Sequence, residues 1–309
     1  MSQTTRAKPF NLRLSSTISF VALLTWMAVI PFAAQSAPND GVEGLTEEQA
    51  AFAGRALDFM SEMDAQYFGR AREIDDGLTV ETKDFNYDFA DYLLKVGRGP
   101  MVEKIGRMTG IVLKPTSDIQ RQTVFGRYFG IDIHAKTPLV GLLHAAFLIQ
   151  YYPDGSSAIG GTLNIVPGAA RKEDLNYIKE ALDGVFAKHG VDGAPHRKRV
   201  CEGTEMAVDH RYRRRLACVG GSFFGRNMMA VNEENFLFMT EAYDTFIDAY
   251  MTALEKRKDE PYTDEDVVAQ DAMRLNWFED QMFADPYAAS GITPYEVWSF
   301  SFSPPVVKF

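Results

Sequence analysis

The stretch from Val124 to Pro167 constrains the fold more than any other part of the chain. It reads VFGRYFGIDIHAKTPLVGLLHAAFLIQYYPDGSSAIGGTLNIVP, three apolar runs separated by turn residues. In an extended chain successive side chains point to opposite faces. Ile131 and Ile133 therefore share one face, and Asp132 and His134 the other. In the second run Ala145, Phe147, Ile149 and Tyr151 alternate with His144, Ala146, Leu148, Gln150 and Tyr152; in the third, Leu163 and Ile165 oppose Thr162 and Asn164. Lys136-Thr137-Pro138 reads as a turn, and Pro153-Asp154-Gly155-Ser156-Ser157 as a hairpin connection, because Asp and Gly tolerate the backbone angles a tight turn needs. The pattern predicts an antiparallel meander with one apolar face and one mixed face, and polar groups on a mixed face often line a cleft.

Helical periodicity flanks this core. Thr46 and Gln49 form a capping-box pattern ahead of a stripe of Ala51, Ala53, Leu57, Met60 and Met63. Leu175, Ile178, Leu182, Val185 and Phe186 form one helical stripe between Arg171 and Gly190; Phe236, Met239, Tyr243, Phe246, Tyr250 and Leu254 form another between Asn232 and Arg257. Both read as core-facing. Residues 69–115 are polar and acidic up to Asp91; Gly97-Arg98-Gly99-Pro100 and the run after it read as a loop feeding a strand. His189 and His196 read as surface residues.

The N-terminus carries Arg6, Lys8 and Arg13 with no acid, then an apolar run from Ile18 to Ala34. Ala34-Gln35-Ser36 places small residues where a signal peptidase inspects the chain. The expectation is an exported protein, with a signal peptide over residues 1–36 and a single domain over 37–309. An uncleaved anchor is the alternative for a hydrophobic segment of that length. The formal net charge is −10, and losing a purely basic leader makes the remainder more acidic. Such a chain is poorly suited to nucleic acid or anionic membrane. Cys201 and Cys218 are the two cysteines; in an oxidising compartment they could pair, closing a loop worth about 3 kcal/mol, or stay reduced. The most basic stretch runs from His196 to Arg215, with Arg211, Arg213, Arg214 and Arg215 beside His210. Guanidinium groups of this kind suit carboxylates, or a solvated turn.

From HAKTP at His134, LHAAFL at Leu143 and IGGTLNIVP at Ile159, through Cys201, His210-Arg211 and VGGSFF at Val219, to SPPVVKF at the end, the chain resembles the oxygen-dependent coproporphyrinogen III oxidase family. Glu103-Lys104 match loosely as well. The resemblance implies an α+β fold: a large antiparallel sheet covered by helices on both faces, usually as a homodimer. It implies oxidative decarboxylation of two propionates of a tetrapyrrole-like small molecule to vinyl groups, with dioxygen as co-substrate and no organic cofactor. On the matching positions it implies His144, Asn164 and Arg274 as catalytic residues, and His134, Gly160, Gly161, His210, Arg211, Gly220 and Gly221 as substrate-binding residues. No compact ligand spacing joins His134, His144 and His210 into a metal site. The spacing from Arg274 to Pro304-Pro305 also follows the family, and this closing segment is expected to form two strands joined by a loop from Asp285 to Pro294.

Several positions depart from the family. Leu148 stands where the family has an arginine, on the same face as His144. Asn164 replaces an aspartate, Asp271-Ala272-Met273 replace an arginine-rich run, and Ala284 and Tyr295 replace basic residues. Gly225-Arg226 replace two acids. Two readings follow: an oxidase, of the family's or an altered substrate preference, or an exported non-catalytic relative that binds a tetrapyrrole or another carboxylate ligand.

Overall fold

The computed structural model describes residues 41–117, 120–202, 212, 214–285 and 292–309. The expected leader, His210 and Arg211 lie outside the described residues. Helix α1 (Glu47–Ile74) leads into strands β1 (Thr79–Asn86), β2 (Ala90–Arg98), β3 (Val102–Val112), β4 (Phe125–Ala135), β5 (Leu142–Tyr151) and β6 (Ser157–Val166). Helices α2 (Lys172–Lys188) and α3 (Ala194–Glu202) follow, then the short strand β7 (Gly221–Ser222), α4 (Glu233–Arg257), α5 (Asp264–Glu279) and α6 (Tyr295–Ser301). The seven strands form one sheet in chain order, every neighbour antiparallel.

The meander and its two faces are as the alternation predicts. Ile131, Ile133, Ala145, Phe147, Leu163 and Ile165 enter the main core, where Phe59, Met60, Tyr67, Tyr243 and Tyr250 of α1 and α4 cover them. Helix α2 packs on α4. Asp132, His134, His144 and Asn164 lie on the opposite face and are buried as well, because α5 and α6 close over it with Trp277, Trp298 and Phe302. The polar face is therefore a covered layer. The hairpin at Gly155 has φ of 83°, and Tyr152 N–H donates to Ser156 O at 2.9 Å.

Helix starts follow local chemistry. Thr46 and Gln49 cap α1 reciprocally, and Asn232 caps α4. The buried stripe of α1 is Ala53, Ala56, Phe59, Met60, Met63 and Tyr67; Ala51 is exposed, so the predicted stripe was rotated slightly. His196 is buried too, its ring 4.4 Å from that of Phe223 and its Nδ1 3.2 Å from Ser222 O.

Two expectations are corrected. Residues 69–115 hold three strands. Strand β1, TVETKDFN, is almost wholly exposed at the sheet edge; its charges blunt that edge and also erase the apolar alternation that would have marked it. In β2, Ala90, Tyr92, Leu94 and Val96 alternate as one buried apolar face; Lys95 lies on the other face, where Asp64 of α1 is 2.6 Å from its Nζ and 2.9 Å from Arg107 Nε. The described part of the closing segment holds helices and no strand; residues 286–291, most of the expected loop, lie outside the described residues. Thr263 and Asp266 cap α5 reciprocally, and Gln270, Met273, Arg274 and Trp277 form its buried stripe at helical spacing. A π-turn over Asp280–Ala284 ends it, and α6 begins after Pro294. Local capping and periodicity decide this segment; spacing within a family does not specify the element type.

Candidate active site

The register of the sheet builds a polar row from residues distant in sequence. Gly106 pairs with Asp132, Asp132 with His144, and His144 with Asn164. One step along, Lys104 pairs with His134. All of these side chains project toward α5 and α6.

The centre is the Asp132–His144 pair. His144 Nδ1 lies 2.6 Å from Asp132 Oδ1, with the aspartate fully buried and the imidazole 9% exposed. His144 is therefore the less buried member of the pair and Asp132 the group that orients it. Burial raises the Asp132 pKa; the charge and hydrogen bond of His144, then Lys104 and Arg214, pull it back. Asp132 Oδ2 is buried without a hydrogen-bond partner. Asn164 donates through Nδ2 to Thr162 Oγ1 at 2.7 Å, which leaves its Oδ1 as a second buried acceptor with no partner. Two orphaned acceptors flank one histidine, an arrangement suited to receiving N–H donors from a ligand.

The neighbouring row holds the cover in place. Lys104 Nζ donates to Ser303 O at 2.7 Å and Ser299 O at 3.3 Å. Burial, with a smaller contribution from Arg98, lowers its pKa to about 7. His134 Nε2–H donates to Phe302 O at 3.3 Å, and Trp277 Nε1–H to the same oxygen at 3.2 Å. Burial and then the charges of Lys104 and Arg274 hold His134 well below the usual imidazole range, so it is neutral. Its Nδ1 is a third orphaned acceptor. Above His144 sit the rings of Trp277, 5.1 Å away, and Phe302, 5.8 Å away.

The residues selected from the sequence separate into groups. His144 and Asn164 are adjacent, and His134 is one row away. Arg274 stands at the His134 end, tied to Glu103 and to Ala135 O at 3.3 Å. It lines a cavity of about 190 Å³ with Glu103, Lys136, Gln270, Asp271 and Lys308. A Cβ on Gly160 would lie 2.2 Å from Phe223 O, one on Gly161 1.9 Å from Ala146 O, and one on Gly220 1.6 Å from Leu163 O. These three glycines let β6 approach its neighbours closely, while Gly221 pairs with Leu163.

Among the described residues after α3, one cation of the basic stretch is committed. Arg214 is buried, its Nε 2.9 Å from Asp280 Oδ2 and its Nη2 paired with Asp285. Its guanidinium lies 5.4 Å over Trp277. Leu148 is half-buried opposite Tyr128 and Gly160. Sequence reasoning missed Asp132, Lys104 and Trp277 as members of this site. Asp132 did carry a signal, an acid inside an apolar strand two residues from a histidine, but its partner depends on cross-strand register.

Residues 102–298, from β3 into α6, match the family described as coproporphyrinogen III oxidase. The chain belongs to that family. It is 29% identical over 171 residues to the oxygen-dependent coproporphyrinogen-III oxidase of Francisella philomiragia subsp. philomiragia, an alignment covering 52% of this chain and 54% of the relative. The chain thus spans about half the length of the curated relative it matches. The matched region holds His144, Asp132, Asn164, His134, Lys104 and Arg274, so the polar layer lies wholly within the family's part of the chain.

Proposed function

We propose that this protein is an oxygen-dependent oxidative decarboxylase of the coproporphyrinogen oxidase type, acting on propionate side chains of a reduced tetrapyrrole. Each propionic acid group and one dioxygen would give a vinyl group, carbon dioxide and hydrogen peroxide. The observation that carries this reading is the Asp132–His144 pair, 2.6 Å apart and flanked by the unpartnered Asn164 Oδ1. Asn164 Oδ1 and Asp132 Oδ2 would accept pyrrole N–H groups, and His144 would exchange a proton with the bound substrate while Asp132 holds its ring. Reaching His144 would require both the Ser299–Ser303 segment and Trp277 of α5 to move, because Trp277 and Phe302 stand over the imidazole. Dioxygen is a co-substrate in this reading, and no organic cofactor is assigned. Export and assembly as a homodimer belong to the same proposal.

The test is anaerobic mixing of the full chain with coproporphyrinogen III, followed by admission of oxygen and chromatography of the products. Vinyl product that disappears in His144→Ala supports an oxidase. A second reading, a non-catalytic relative that binds a tetrapyrrole or other carboxylate, is favoured by one observation: Arg214 and Arg274 are already paired with acids, and Leu148 supplies no charge. Porphyrin binding without product, together with activity gained in the double variant Leu148→Arg and Asn164→Asp, would establish that second reading.

A further inference from the structure

The chain contains two cysteines, separated by a basic segment, and the fold brings their side chains together. Cys201 is exposed in the last turn of α3, and it lies near enough to the half-buried Cys218 thiol to disfavour its ionisation. The surrounding backbone holds this meeting from both sides. Arg197, one turn before Cys201 on the same helix, donates through Nη1 to Val219 O at 2.6 Å and Gly220 O at 3.2 Å, and it reaches Cys218 O at 3.4 Å. On either side of Cys218, Ala217 N–H donates to Ile165 O at 2.9 Å and Gly221 pairs with Leu163, so this segment is anchored to β6. Cys218 has φ of 58°, the single positive value at a non-glycine position among the described residues. Non-glycine residues rarely adopt this backbone conformation, and such positions cluster at functional sites.

We propose that Cys201 and Cys218 form a redox-active dithiol that closes to an intramolecular disulfide, linking α3 to the segment entering β7. The oxidant is a small-molecule disulfide, such as oxidised glutathione. The exposed Cys201 sulfur attacks it, forms a mixed disulfide and releases one thiol. Cys218 then attacks the Cys201 sulfur, forming the protein S–S bond and releasing the second thiol. The two protein protons go to the two released thiols, and two electrons pass from the protein to the oxidant. Burial pushes the Cys218 thiol up to about 11, which fits the order: the exposed cysteine reacts first and the buried one resolves. The closed bridge brackets Arg214, whose pairing with Asp280 and Asp285 ties this segment to the turn after α5. The proposal stands independently of the decarboxylase reading.

The full chain, purified under reductant and then freed of it, is incubated with oxidised glutathione and its thiols are counted after denaturation. Loss of both thiols, with a Cys201–Cys218 cross-linked peptide from single chains in the digest, is the expected result. Cys218→Ser should accumulate a glutathione adduct on Cys201, whereas Cys201→Ser should leave Cys218 largely unmodified in the folded protein. The oxidised wild type should melt at a higher temperature than the reduced form, and neither serine variant should show that difference. Two free thiols after exposure to the oxidant, or cross-links only between chains, would overturn the proposal.

Discussion

The buried ammonium of Lys104 makes a quantitative prediction about stability and pH. The side chain is fully buried, and burial lowers its pKa from 10.5 to about 7. Between those values the unfolded chain keeps this proton and the native chain releases it. The unfolded state therefore binds more protons there, so raising the pH stabilises the fold by up to about 1.4 kcal/mol per pH unit from this group. Integrated from pH 7 to pH 9, the gain is about 2 kcal/mol. Lys104→Met removes the titration but keeps most of the side-chain volume. It also leaves Ser299 O and Ser303 O without this donor, a loss that is nearly independent of pH. Urea unfolding of both proteins at pH 7, 8 and 9 isolates the effect as a difference. The wild type should gain about 2 kcal/mol relative to the variant over this range. Parallel profiles, with a difference constant to within about 0.5 kcal/mol, would show that Lys104 carries its proton in the native state as it does in water and would refute the reasoning.

Three further outcomes follow from the same layer. Arg214→Met strips the cation from the buried Asp280 and should destabilise the protein by about 3–5 kcal/mol in chemical denaturation; adding Asp280→Asn should recover part of the loss. Asp132→Asn removes the carboxylate that orients His144; in the turnover assay kcat should fall by about 10²-fold with a changed pH profile, while far-UV circular dichroism stays native. Gly106→Ala would place a Cβ 1.8 Å from Ser301 O and push α6 off the sheet, so limited proteolysis should cut the C-terminal segment faster than in the wild type.

The legibility of this chain differed by element for physical reasons. Strands β4 to β6 were readable because each buries one largely apolar face, interrupted in β4 by the buried Arg127, and period-two alternation is the local trace of that burial. Helices α1, α2 and α4 were readable from stripes and caps. Strand β1 was not, because an exposed edge strand carries charge on both faces; β2 did carry the alternation, in Ala90, Tyr92, Leu94 and Val96, and the polar, acidic character of the surrounding stretch outweighed it in the sequence reading. The closing helix α5 had a capping box of its own, and its buried stripe mixes Gln270 and Arg274 with Met273 and Trp277; the stranded expectation set spacing above that local chemistry.

The site divides in the same way. His144, His134 and Asn164 could be placed on one face from alternation alone, and Asp132 beside them, since side-chain direction in a strand is a local property. Pairing Asp132 with His144 could not, because that contact depends on a register set by turn length and long-range packing. The fate of Arg214 was likewise a tertiary matter: it reads as a solvated or carboxylate-binding cation in sequence, but it is paired with Asp280 and Asp285 across the fold. Sequence by itself determined which residues are polar on a buried face. The tertiary structure decided which of them are partnered, because ion pairing and desolvation depend on distances that arise only when separate elements pack together.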